Sequence, residues 1–153
     1  MSKESAGLLM YRVRVGALEF LLVHPGGPFF KNKDLGAWTI PKGELNAGEA
    51  PLSAAIREFH EELGLKPIGK FVPLRSITQK SGKRVHAWAF EGDCDPGAIR
   101  SNTISIEWPP HSGRRQEFPE VDRAAFFGLE EAKQKINRAQ VPFLEEVLAL
   151  KKE

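Results

Sequence analysis

The segment Gly43-Glu-Leu-Asn-Ala-Gly-Glu-Ala-Pro-Leu-Ser-Ala-Ala-Ile-Arg-Glu-Phe-His-Glu-Glu-Leu-Gly-Leu65 carries two patterns at once. Its second half predicts a helix over Pro51 to Leu63. Pro51 suits the first helical turn, where its missing N–H has no intrahelical acceptor to lose. Gly64 suits the left-handed position just past the last turn. Leu52, Ala55, Ile56, Phe59 and Leu63 recur at helical spacing and form one apolar face. Glu58, Glu61 and Glu62 fall at i, i+3 and i+4 and span an arc of about 100°. The apolar stripe is centred about 120° away, so one side of this helix packs while another offers three carboxylates.

Carboxylates this close repel one another. They stay in open water, shift to higher pKa, or are neutralised by cations. A solvated acidic face is the plain alternative, because Glu is a good helix former. Oxygen-only ligands favour hard cations, Mg²⁺ or Mn²⁺ first.

Working outward, Ala6 to Val15 and Leu18 to Val23 read as strands joined through Gly16-Ala17. Pro25-Gly-Gly-Pro28 breaks the chain, and a loop runs on through Asp34. Ala37 to Ile40 reads as a short strand stopped by Pro41. Phe71 to Gln79 and Arg84 to Phe90 alternate as strands, with Ser81-Gly82 turning between them. Thr103 to Trp108 is a further strand, Pro109 to Pro119 a loop, and Arg123 to Phe127 a last short strand. Leu129 to Ile136 and Val141 to Leu150 are expected helices. This order predicts an α+β layer arrangement in a single domain rather than repeated βαβ units.

Composition is that of a globular chain of 153 residues. A net charge of +2 implies no strong polyelectrolyte partner. One cysteine, Cys94, excludes an internal disulfide and suits a reducing compartment. No run approaches the length of a membrane span, and the N-terminal residues lack a signal-peptide pattern. A cytoplasmic setting without membrane partners is expected, with the oligomeric state unreadable.

Gly43, Glu49, Arg57, Glu58, Phe59, Glu61, Glu62, Gly64 and Leu65 fit the pattern G-x5-E-x7-R-E-U-x-E-E-x-G-U at every fixed position, U being a bulky apolar residue. On these residues the chain resembles the Nudix hydrolase family. The flanks Ala37-Trp-Thr-Ile-Pro-Lys-Gly43 and Leu18-Glu-Phe-Leu-Leu-Val23 are similar too. The resemblance implies an α/β/α sandwich around a mixed β-sheet and metal-dependent cleavage of a diphosphate linkage. It implies that Glu58, Glu61 and Glu62 bind Mg²⁺ or Mn²⁺, and that the backbone carbonyl of Lys42 joins them. One of these glutamates, or another outside the segment, would act on the attacking water. Arg57 and Glu49 would mainly hold the acid cluster in place, with direct catalysis by Arg57 as the other reading. A fourth acid is usual in such relatives. Glu120 is the first choice for it and Glu117 the second.

Substrate class rests on residues outside this segment. Lys42, Lys83 and Arg84 are candidates to hold phosphates, or solvated surface charges. Trp38, His86 and Trp88 could stack on or hydrogen-bond a base, though alternation equally makes Trp88 a core residue. Arg114 and Arg115 lie among aromatics in the stretch Trp108 to Phe118, a composition suited to an anionic, base-bearing ligand. The stretches Ala6 to Arg12, Leu18 to Val23, Arg84 to Trp88 and Phe126 to Ala132 resemble the diadenosine polyphosphate branch of the family. A small nucleotide, favouring dinucleoside polyphosphates or nucleoside triphosphates, is therefore the expected substrate. The triphosphate 5′ end of RNA is the alternative, and a non-catalytic nucleotide-binding regulator is the reading from a different class.

Overall fold

A computed structural model describes residues 3–151. The first strand, β1 (Glu4–Arg14), is buried along most of its length. A strand buried on both faces needs cover on both faces. β1 turns into β2 (Ala17–Pro25) through Val15-Gly16, both with positive φ, and the pair closes at Arg14 opposite Ala17. Such a two-residue turn matches the twist of the strands it joins.

The remaining strands extend this hairpin. β3 (Lys42–Glu44) lies antiparallel to the first residues of β1. β4 (Val72–Pro73) and β5 (Ile77–Thr78) both pair with β6 (Arg84–Glu91), which runs parallel to β1. β7 (Thr103–Glu107) and β8 (Arg115–Pro119) form a separate two-stranded hairpin. β9 (Val121–Gly128) returns to the main sheet beside β2. The order across that mixed sheet is β4-β6-β1-β2-β9.

Helices cover the two faces. α1 (Pro51–Leu63) packs on Leu8, Met10, Leu21, Val23 and Phe90 through Ala54, Ala55, Phe59 and Leu63. Burying Phe59 alone is worth about 1.5–3 kcal/mol. α2 (Leu129–Lys135) and α3 (Val141–Lys151) cover Leu9, Tyr11, Phe20 and Leu22 from the opposite side. The alternation of β1 between Leu8 and Met10 on one face and Leu9 and Tyr11 on the other supplies both layers. The architecture is the expected α+β sandwich. Among the described residues no helix is long and apolar enough to cross a membrane.

Three expectations are corrected. Ala37 to Ile40 is not a strand; Trp38 and Thr39 make only isolated bridges, and the strand begins after Pro41. Pro41 cannot donate to a ladder, so pairing starts one residue later. Phe71 to Gln79 is broken into β4 and β5: Leu74 N–H still donates to the Ala87 carbonyl, but Arg75 N–H turns to the Glu146 carboxylate. Pro109 to Pro119 is not all loop: Arg115 to Pro119 is β8, paired residue by residue with β7. Its sequence lacks alternating apolar residues because the hairpin is exposed on most of its surface.

One close approach sets the position of the acidic segment. The first half of β1 pairs with β3 and the second half with β2, so the chain around Pro41 wedges between β1 and β2. The Leu8 N–H donates to the Pro41 carbonyl at 3.1 Å. A Cβ on Gly7 would stand 2.4 Å from that carbonyl oxygen. Backbone cannot yield as a side chain can, so Gly7→Ala is expected to destabilise the fold by about 1–3 kcal/mol, as overpacking does. Urea denaturation checks this, and an unchanged midpoint would refute the wedge.

Candidate functional site

Glu58 and Glu62 stand one turn apart on α1, and Glu120 sits between β8 and β9. One carboxylate oxygen from each lies within 4.8 Å of the others. Glu58 is 7% exposed and Glu62 is 4% exposed. Burial pushes both carboxyls above their usual range, Glu62 strongly. Glu120 and Glu58 add to the rise at Glu62 by repulsion. Against this, the Lys42 backbone N–H donates to Glu62 Oε2 at 3.1 Å.

Gly43 makes room for this arrangement. A Cβ there would stand 2.1 Å from the Glu58 carboxyl carbon and from its Oε2. The glycine that opens the acidic segment is thus required by the Glu58 carboxylate, far along the chain on α1, not by a turn at its own position.

Arg57 binds the cluster from outside. Its guanidinium grips both oxygens of Glu49 at 2.9 Å, a fork matched to a carboxylate. One amino group also donates to Glu58 Oε1 at 2.7 Å and reaches Glu61 at 3.3 Å. The other donates to the Glu44 carbonyl. Arg57 holds the Glu49 carboxyl down at about 2, helped by the Asn46 N–H. Arg57 thus contacts Glu49, Glu58 and Glu61 together, as expected of a residue that holds the acid cluster in place.

Glu61 itself stands apart, with a side chain 41% exposed. Helix geometry explains this, since Glu61 lies about 60° further from the apolar stripe than Glu58 does. The site therefore brings together Glu58, Glu62 and Glu120, and leaves Glu61 on its outer rim. Glu117 is exposed on β8, opposite Ser105.

Glu120 is fixed by its backbone. Its N–H donates to the Asn102 carbonyl and its own carbonyl accepts from Gly26 N–H, both at 2.9 Å. Asn102 N–H in turn donates to the Glu61 carbonyl, and Arg100 N–H to that of Leu63. The strap Arg100 to Asn102 thus ties Glu120 to the C-terminal turn of α1.

Cationic residues border the carboxylates. Burial, then the nearby Lys83, lowers the Lys42 ammonium, while Glu62, Glu58 and Glu120 oppose the shift. Lys83 Nζ lies 3.8 Å from Glu44. Arg84 donates to Ser76, and the half-buried His86 bonds Glu4 at 2.9 Å. Trp88 is partly buried against the α1-side core.

Trp38 does not serve for base stacking. Its ring is 4% exposed, meets Phe127 edge-on at 5.0 Å, and donates to Asp34. It is a core residue placed there by the bridges on either side of it. Arg114 and Arg115 are exposed on the β7–β8 hairpin, and Arg115 is spent on Ser105. Among the described residues neither bonds the carboxylate cluster.

Two buried polar residues escaped sequence reading. Gln140, fully buried before α3, accepts from Ile40 N–H and donates to Thr39 and Gln79. It holds the backbone just ahead of Pro41-Lys42. His24 lies fully buried at the end of β2. His24 stands at the end of an apolar run, whereas Gln140 follows the polar Asn137-Arg138 and carries no local signal.

The family model described as NUDIX domain matches residues 1–147. The chain is 31% identical over 102 residues to an RNA pyrophosphohydrolase of Agrobacterium fabrum, covering 56% of this chain and 55% of that protein. It is 40% identical over 65 residues to the asymmetrical bis(5'-nucleosyl)-tetraphosphatase of Caenorhabditis elegans, covering 42% and 43%. The chain thus spans about half the length of these curated relatives. Among solved structures it is similar to a C. elegans Ap4A hydrolase in a binary complex, with a TM-score of 0.67, 24% identity and coverage of 97% and 98%. The NUDIX domain of Shewanella oneidensis NrtR with ADP ribose matches at a TM-score of 0.67 and 14% identity, covering 100% and 90%. With the family model spanning nearly its whole length, the chain belongs to the NUDIX domain family.

Proposed function

We propose that the chain is a divalent-cation-dependent hydrolase that cleaves a diphosphate linkage in a nucleotide. The observation that carries this reading is the meeting of Glu58, Glu62 and Glu120 at one point, two of them buried. Buried like charges need a counter-charge. The donor set is all oxygen and fits Mg²⁺ or Mn²⁺. Glu58, Glu62 and Glu120 would hold the cation, with the Lys42 carbonyl as the further ligand. When bound, it supplies an activated water and charge relief on phosphate oxygens.

The protein's own groups complete the site. Arg57 and Glu49 hold Glu58 in line through a rigid fork of hydrogen bonds. We assign Glu61, on the rim, to a further cation or to the attacking water. We assign Lys42 and Lys83, which border the carboxylates, to the substrate phosphates. His86 and Arg84 extend this edge.

For substrate we favour dinucleoside polyphosphates or nucleoside triphosphates. The C. elegans tetraphosphatase and Ap4A hydrolase support that choice. The triphosphate 5′ end of RNA is the second reading. The A. fabrum pyrophosphohydrolase favours it, as do Phe29 and Trp108, which meet edge-on 5.5 Å apart beside Arg114 and Arg115. A non-catalytic regulator would not need three carboxylates converging on one point. The free thiol of Cys94 accords with the cytoplasm.

Purified protein with Mg²⁺ or Mn²⁺ is expected to turn over at least one of a dinucleoside tetraphosphate, a nucleoside triphosphate or triphosphorylated RNA, with products resolved by chromatography. No metal-dependent turnover across these would sink the hydrolase reading. Glu62→Gln and Glu120→Gln should each lower the rate by about tenfold or more with folding intact, while Glu117→Gln should not. Equal loss in Glu117→Gln would move the fourth ligand to β8. Gly43→Ala should leave thermal stability nearly unchanged, because a flexible carboxylate can swing away, yet weaken Mn²⁺ binding measured by electron paramagnetic resonance. Unchanged Mn²⁺ binding would show that Glu58 is not a ligand.

A further inference from the structure

The β2–β9 pairing holds an irregularity beside Glu120. His24 pairs with Arg123, but the next residue, Pro25, pairs with Val121. Asp122 is therefore an extra residue, a β-bulge on β9. Burial confirms the change of phase. Val121 joins Ala124 and Phe126 in the core on the α1 side. An odd spacing of three between Val121 and Ala124 puts both on one face only if one residue between them drops out of the alternation.

His24 pins that residue. Its Nδ1 lies 2.8 Å from Asp122 Oδ1 and its Nε2 lies 2.6 Å from the Lys33 carbonyl. Both ring nitrogens thus meet an oxygen, one on the Asp122 side chain and one on the backbone of Lys33. The ring is fully buried, edge-on to Trp38 at 5.3 Å. The preceding residues of β2, Leu21, Leu22 and Val23, are fully buried and apolar. An apolar side chain would fill this place at lower desolvation cost. A polar ring here makes sense through what it holds.

What it holds leads to Glu120. Gly26, two residues after His24, donates to the Glu120 carbonyl. The approach is so close that a Cβ on Gly26 would stand 1.9 Å from the Pro119 oxygen. If the bulge relaxed, pairing would resume one residue out of step, and a one-residue slip turns side chains to the other face. The phase of Val121, and of Glu120 before it, depends on Asp122 staying out of the ladder.

We propose that His24 is a positioning residue for Glu120: by bonding Asp122 it locks the bulge in β9 and so aims Glu120 at Glu58 and Glu62. The role rests on the reading of Glu120 as a cation ligand.

His24→Phe keeps ring size while removing both bonds, and Asp122→Ala removes the pin from a side chain that is partly exposed. Either variant is expected to melt near the wild-type temperature and to bind Mn²⁺ about tenfold or more weakly, as loss of an outer-sphere partner does. With the preferred nucleotide, kcat should fall more than KM rises. In a Glu120→Gln background, adding Asp122→Ala should change Mn²⁺ affinity by less than about twofold, because the residue being aimed no longer binds. Folded variants with wild-type Mn²⁺ affinity would overturn the proposal. So would an equal loss in the Glu120→Gln background, which marks a general structural effect. Glu120→Gln alone leaving Mn²⁺ affinity unchanged would instead refute the ligand role of Glu120, and the positioning role with it.

Discussion

Helix α1 has to bury carboxylates and phenylalanine with the same few turns. Phe59 and Leu63 hold it against the sheet, and Glu58 and Glu62 flank that contact closely enough to be buried too. Such carboxylates raise the free energy of the folded chain unless charge is brought to them. The surroundings are arranged around that cost. Arg57 approaches Glu58 from the solvent side, the Lys42 N–H approaches Glu62 from the sheet side, and Glu120 adds a third negative charge rather than relieving the first two. Only partial compensation by the protein leaves a demand that an external cation would meet. Packing and chemistry are therefore one problem here: the hydrophobic contacts that stabilise the fold also keep the acids in a setting where a cation is worth binding.

The acidic segment and α1 were legible because they obey local rules. Proline at the start, glycine at φ 70° after the end and a helical apolar stripe predict Pro51 to Leu63, and the helix has those bounds. Helix arithmetic also contained more than a shared acidic arc. Taken residue by residue, it separates Glu62, nearest the stripe, from Glu61, furthest from it. Treating the three glutamates as one set hid that difference. The features without a local cause were those set by distant backbone. Glu120 reaches the cluster through Asn102 and Gly26, and nothing local in its sequence states either bond. Trp38 looked like a stacking platform because composition favours aromatics at nucleotide sites, yet the bridges to Val23 and Ile136 fold that stretch into the core. β8 was invisible because an exposed hairpin needs no apolar alternation.

Glycine spacing has a similar division. Gly64 is local, a helix terminator in the left-handed region. Gly7, Gly26 and Gly43 are not: each stands where another part of the chain, Pro41, Pro119 or Glu58, comes too close for a side chain. Three contacts distant in sequence are thus recorded in single residues, although none of them names its partner. The site is assembled at these approaches, where strands and α1 press together with no side chain between them.

The β7–β8 hairpin is closed at its base. Thr103 faces Pro119, and just outside that pair the Glu120 N–H bonds the Asn102 carbonyl. Everything between Asn102 and Glu120 is therefore a cassette, anchored at both ends before it leaves the body of the protein. Residues at its far end can be exchanged, lengthened or shortened while the bonds and the Gly26–Pro119 approach at its base keep Glu120 in place. The hairpin tip, around Trp108 and Arg114, can therefore vary independently of Glu58, Glu62 and Glu120. Change at the tip and constancy at the carboxylate cluster are then separable events in the history of one scaffold.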